Sequence, residues 1–167
     1  MLTHLPMPPA WRCVIVVPEG KPGLSGDDEA AAFARLPAPD ARAVEHVAHL
    51  VLMQLLPALA EADLPEFGTA LSEIQRITGG WFAAAQGGAF APGQSAALVG
   101  RLREWGATGV GQSSWGPAVY GLAPDATTAA TLAERARKIL GPGGSVYEGP
   151  FSARGARIGW GAPPDSP

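Results

Sequence analysis

Apolar residues along this chain fall into two kinds of block. Some are short β-branched runs, and others are longer stretches with apolar positions three and four apart. The run Arg12-Cys-Val-Ile-Val-Val17, closed by Pro18, predicts a central β-strand. A turn rich in glycine follows over 19–26, and 27–35 predicts a short helix that Leu36-Pro-Ala-Pro39 breaks. Val44, Val47, Leu50, Val51 and Leu55 then recur on one helical face, with Asp40 as a candidate N-cap. Pro57 is expected to kink or restart that helix, because it removes an amide hydrogen bond and crowds the preceding turn. Asp63-Leu-Pro-Glu66 has capping-box spacing and opens a helix with Phe67, Ala70, Leu71, Ile74 and Ile77 on one side. Gln75 and Arg76 are expected to point elsewhere, and Thr78-Gly-Gly80 to end the helix.

Pro92 suits the first turn of the next helix, whose stripe is Leu98, Leu102 and Trp105 and whose stop is Gly106. An apolar run over 118–122 reads as a strand. Asp125 can cap a last helix over 126–140, where Arg135, Arg137 and Lys138 suit the C-terminal end of the helix dipole. Residues 145–147 and 156–160 are candidate final strands. Residues 1–10 read as a linker or tail, 11–160 as one domain, and 161–167 as a frayed tail. The order predicts an α+β sandwich, a mostly antiparallel sheet with helices packed on one face.

Composition narrows the function without naming it. A length of 167 residues fits one domain that can bury a real core. The net charge is −3, with no basic block, so nucleic-acid binding has no electrostatic support. Charged residues make up 16%, below the usual quarter, which suggests a surface normally covered by another domain or subunit. One cysteine, Cys13, excludes an intramolecular disulfide, and its β-branched neighbours make it a buried strand residue rather than a nucleophile. No signal-peptide pattern opens the chain, and the apolar stretch 47–60 is too interrupted by polar residues and proline for a membrane span. A cytoplasmic protein is the expectation. His46 and His49 have a spacing that can place two metal ligands on one face, but no third ligand is suggested beyond Glu45, so no metal site is assigned.

The stretch Gly106-Ala-Thr-Gly-Val-Gly-Gln-Ser-Ser-Trp-Gly-Pro117 carries the strongest candidate chemistry. Closely spaced glycines allow backbone to approach a ligand, and successive N–H groups can form a nest for phosphate. Gly109 and Gly111 would serve that purpose, Gln112, Ser113 and Ser114 would add donors, and Trp115 a flat surface. A second glycine loop, Gln86-Gly87-Gly88, can face the same ligand. For both loops the other reading is structural: a tight turn, with Trp115 plugging the core.

At Gly109-Val-Gly-Gln-Ser-Ser-Trp-Gly-Pro117 the sequence resembles the β-ribofuranosylaminobenzene 5′-phosphate synthase family of methanopterin biosynthesis, within the GHMP-kinase superfamily. The likeness takes in Val17-Pro-Glu-Gly20, Gly23-Leu-Ser-Gly26, His49-Leu-Val-Leu-Met53, Leu55-Leu-Pro-Ala58, Glu73-Ile-Gln-Arg76 and Gln86-Gly-Gly88, in the family's order. The resemblance implies the ferredoxin-like α+β architecture of the superfamily's C-terminal domain. It implies a substrate pair as well, phosphoribosyl pyrophosphate with 4-aminobenzoate or 4-hydroxybenzoate, joined with loss of pyrophosphate and carbon dioxide, and it implies Mg²⁺. In the superfamily's kinases a Thr-Gly-x-Gly loop runs on into further glycines near the nucleotide phosphates. Thr108-Gly-Val-Gly111 fits, whereas Gln112, Ser113 and Ser114 replace the later glycines, which places an ATP-dependent small-molecule kinase last.

Family members carry an N-terminal domain before the counterpart of Trp11, and superfamily sites lie between the two domains. The chain is therefore expected to be the C-terminal half, inactive without an N-terminal GHMP domain or subunit. Self-association is also open, as is a non-catalytic binding module that kept the fold.

Overall fold

The computed structural model describes residues 4–153. Its order is β1 (Arg12–Val17), α1 (Gly26–Phe33), α2 (Ala41–Leu50), a π-turn (Val51–Leu55), α3 (Leu56–Ala60), α4 (Leu64–Gln86), α5 (Gln94–Glu104), β2 (Thr108–Gln112), β3 (Val119–Ala123), α6 (Ala126–Leu140) and β4 (Ser145–Pro150). Four strands form one antiparallel sheet in the order β2-β3-β1-β4. In its central register Ile15 stands opposite Tyr120 on one side and Tyr147 on the other. The fold is the α+β arrangement that the sequence predicts.

Strand alternation sorts the core into two layers. Val14 and Val16 point to the face covered by α5 and α6, where Leu98, Leu102, Leu132, Ala133 and Ala136 are buried with Val110 and Val119. Each of the Val and Leu side chains contributes about 1.5–3 kcal/mol when withdrawn from water, the alanines less. Cys13 and Leu122 point the other way, into a smaller cluster with Trp11, Leu64 and Phe67. The expected helical layer is thus α5 with α6, and α4 adds a second layer across the opposite face.

Local signals set most boundaries. The carboxylates of Asp40, Asp63 and Asp125 each accept the amide three residues on, from Ala43, Glu66 and Thr128. These bonds satisfy amides that the first helical turn leaves free. Gly106, at φ +94, ends α5 as expected. That helix starts at Gln94, two residues after Pro92, with Gly93 in the cap position.

Three expectations need correction. First, Pro57 restarts the helix, standing in the first turn of α3 as expected, but it does so without interrupting the helical run. The Leu56 amide donates to Val51 O, five residues back, and the widened turn lets helical backbone run continuously from Ala41 to Ala60. That continuity removes the interruption expected in 47–60. Second, Gly79 and Gly80 do not stop α4, which runs to Gln86 and ends on Gly87 at φ +89. A Cβ at Gly79 would strike the carbonyl of Ala89, so this glycine admits a passing loop instead. Third, residues 108–112 of the glycine-rich stretch 106–117 are not loop but the edge strand β2. The candidate strand over 156–160 and the tail over 161–167 lie outside the described residues.

Candidate functional site

The two glycine-rich stretches meet at the C-terminal end of α4. Glycines of β2 make this possible by letting the helix lie almost on the strand. A Cβ at Gly68 of α4 would fall 2.7 Å from the amide nitrogen of Gly109. One at Gly111 would fall 2.6 Å from both the Gln75 Oε1 and the Tyr120 hydroxyl. Gly109 and Gly111 are therefore buried packing positions, with Gly109 at φ +60. Their backbone is covered by α4, so they do not form the phosphate nest that their spacing suggests.

With the helix this close, its polar side chains answer the free edge of β2. The Val110 amide donates to Ser72 Oγ at 3.2 Å, and the Gln112 amide donates to Gln75 Oε1 at 3.2 Å. Gln75 thus points at the strand, contrary to expectation. Its position one turn after Leu71, on the apolar side of the helix, is the signal that could have found it.

Gln112 is the centre of the local network and is only 6% exposed. Its Oε1 accepts the Ala91 amide at 2.6 Å, while Nε2 donates to Ser114 O at 2.9 Å and Gln86 Oε1 at 3.2 Å. Gln86 in turn donates to Gly88 O and Ala89 O. One side chain therefore ties the end of α4, the turn at 87–91 and the β2–β3 connection together. Gly87 and Gly88 form that turn.

Of the two readings of Trp115, a stacking surface or a plug of the core, the structure shows the second, for the ring is buried. Its indole N–H donates to Glu29 Oε1 at 2.8 Å, and its ring sits edge-on to Phe33 and Phe82 at centroid distances of 5.7 and 5.0 Å. The Gly23 amide also donates to Gly116 O at 3.2 Å. Strap-like α1 is held over the site through these contacts. Ser113 and Ser114 remain exposed, the latter at φ 50.

Two concavities flank this knot. A groove of about 410 Å³ runs between the 18–24 loop and the start of α5, with Lys21, Gln86, Gln94 and the edge of Trp115 on its walls. A smaller one of about 190 Å³ has Gln75, Thr78, Phe82, Gln86, Gln112 and Ser114 around it. Of the predicted site residues, Gln86, Gln112 and Ser114 gather at the smaller concavity and Gln86 and Trp115 at the larger, while Ser113 stands exposed on the β2–β3 turn and lines neither. Lys21 and Gln75 are additions. Among the described residues no three His, Cys, Asp or Glu groups come together as a metal cage. The described residues therefore offer no protein-built Mg²⁺ cage.

Burial perturbs two groups below the sheet. The Cys13 thiol is pushed up to about 11 by desolvation. The Tyr120 hydroxyl is pushed up to about 12, by desolvation first and the nearby Cys13 second. Both stay protonated near neutrality, so neither is a nucleophile or base there.

An antiparallel four-stranded sheet with this helical arrangement is found in known enzymes. A homoserine kinase from Cytophaga hutchinsonii matches 87% of this chain and 43% of its own at TM-score 0.64 and 20% identity, which shows the fold. The profile of the family described as GHMP kinases C terminal matches residues 55–141, and the chain belongs to that family. It is similar to the β-ribofuranosylphenol 5′-phosphate synthase of Methanothermobacter thermautotrophicus, 30% identical over 153 residues, covering 89% of this chain and 44% of that protein. The Archaeoglobus fulgidus protein of the same name is 41% identical over 69 residues, 41% of this chain and 22% of its own length. The chain thus spans less than half the length of these relatives.

Proposed function

We propose that the chain is the C-terminal half of a synthase that joins phosphoribosyl pyrophosphate to 4-hydroxybenzoate or 4-aminobenzoate in methanopterin biosynthesis. Similarity to named synthases over 89% of the chain is the observation that carries the reading. The phenol in the relatives' name favours 4-hydroxybenzoate, since loss of its carboxyl group as carbon dioxide leaves a phenol. A bond forms between the ribose anomeric carbon and the ring carbon that carried the carboxylate, and pyrophosphate leaves with the electron pair of the broken C–O bond.

Residues of this chain would serve such a step by binding and orientation. The exposed hydroxyls of Ser113 and Ser114 and the amine of Lys21 are donors for phosphate oxygens as negative charge develops on the leaving group. Gln112 positions Ser114 through its carbonyl, and Trp115 fixes the turn from behind. Magnesium would neutralise pyrophosphate charge, with ligands that the described residues do not supply as a set. The other half of the site belongs to a partner domain or subunit that corresponds to the rest of the relatives' length.

A non-catalytic binding module is the second reading, favoured by the complete hydrogen bonding of Gln112 and the packing role of the glycines. Mixing the chain with the unmatched half of the M. thermautotrophicus synthase separates the two. Pyrophosphate release from phosphoribosyl pyrophosphate that depends on both pieces and on 4-hydroxybenzoate is expected. Ser113→Ala with Ser114→Ala should lower that rate at least tenfold without unfolding the chain. Full turnover by the chain alone, or none by the mixture, would overturn the proposal.

A further inference from the structure

Exposed apolar residues are not spread evenly over this molecule. The continuous helical stretch Ala41–Ala60 is long and apolar enough by composition to cross a membrane, yet only Leu50 and Ala58 along it are fully buried. Its inner side packs on α4. Its outer side presents Val44, Leu52 and Met53, the last two 61% and 63% exposed. On the sheet, Ile15 and Tyr147 are cross-strand partners on the face that also carries Cys13, the α4 side, and they are 40% and 61% exposed. By contrast, the face under α5 and α6 is closed by a complete core. The unpaid apolar area therefore lies mainly on the α4 side.

The length of the relatives bears on what would cover this area. This chain corresponds to 44% of the M. thermautotrophicus synthase and 43% of the homoserine kinase chain, and its family is a C-terminal one. We propose that the outer face of α2–α3, centred on Leu52 and Met53, and the open sheet patch of Ile15 and Tyr147 receive the other half of a two-part protein. The partner would present a largely apolar surface and leave the concavities around Gln86 and Ser114 at the border. The inference rests on the proposed function for the partner's identity, but the surface stands on exposure alone.

The test uses the full chain and, as probe, the unmatched half of the M. thermautotrophicus synthase expressed separately, with association read by sedimentation. Leu52→Glu combined with Met53→Glu should weaken binding at least tenfold. Ile139→Glu, at an exposed apolar position on α6, should leave it unchanged. Far-UV circular dichroism and melting of each variant alone should match the parent, since these side chains are exposed. Hydrogen exchange should slow in 44–56 and 145–149 on binding. Absence of a complex, or a complex indifferent to the double substitution, overturns the proposal. So does self-association of the chain that the double substitution abolishes, because a second copy is then the occupant. Binding of the chain alone to phosphatidylcholine vesicles through Leu52 and Met53 overturns it too. A complex that forms as expected but releases no pyrophosphate leaves this surface standing and sinks the synthase reading. Turnover by the mixture that ignores the double substitution does the reverse.

Discussion

Replacing Gln112 by alanine is the sharpest probe of what the glycine hairpin is for. The side chain makes three hydrogen bonds, to the Ala91 amide, Ser114 O and Gln86 Oε1, at a position 6% exposed. At roughly 1 kcal/mol net per bond the loss is about 3 kcal/mol, and unpaired buried partners push the cost higher. In a domain of this size that corresponds to a fall in Tm of about 6–12 °C. Thermal and urea unfolding of the full chain, followed by circular dichroism, measure it. Gln112→Glu adds a control on mechanism. It keeps the acceptor for Ala91 but turns the donor toward Gln86 and Ser114 into a second acceptor. The buried carboxyl would have its folded-state pKa raised above the unfolded value. Its deficit relative to the parent should therefore shrink below the unfolded carboxyl pKa and grow as pH rises through the folded one. A drop of less than about 1 kcal/mol for Gln112→Ala would refute the reasoning, because one ordinary hydrogen bond is worth that much. The side chain would then be held for a ligand rather than for the fold.

Other expectations follow from the same geometry. Gly68→Ala should destabilise the chain by about 1–3 kcal/mol in urea unfolding, the usual cost of overpacking, since the added methyl would strike the Thr108 side chain and the Gly109 amide of β2. Cys13 should resist iodoacetamide at pH 8 in the folded chain and react once urea unfolds it, as read by mass spectrometry. Its thiol is raised to about 11 from 9.0, so the thiol form contributes stability that is present below pH 9 and lost as pH rises toward 11. The Asp125 carboxyl is held below its ordinary 3.8, first by the Thr128 amide that it caps. Its contribution to α6 is present above pH 3.8 and lost as pH falls through the lower folded value, and Asp125→Ala should flatten that acid limb in a pH series of melts.

Much of the fold is legible in the sequence because the signals are local. Asp40, Asp63 and Asp125 announce their helices because each carboxylate meets an amide only three residues away. The strand at 12–17 is read from β-branching and a closing proline. The site is less legible for a corresponding reason. Whether Gly79 ends a helix or admits a neighbour depends on Ala89, a contact that periodicity does not encode. Gly109 and Gly111 carry the same ambiguity: a glycine needed by a ligand and one needed by a helix look alike in one dimension. The inward turn of Gln75 and the burial of Trp115 are not written locally, because their partners, Gln112 and Glu29, lie 37 and 86 residues away. Only the folded chain brings them together.

The seating of α4 on β2 has a consequence for how sequences of this kind are sorted by activity. Gly68, Gly109 and Gly111 are held by steric necessity, whatever becomes of catalysis. A descendant that had lost its chemistry would still need all three to close its sheet edge. Their pattern therefore marks the architecture and is blind to turnover. On the proposed synthase reading, the positions that would report a working enzyme are ones the fold does not require, such as the exposed Ser113 and Ser114.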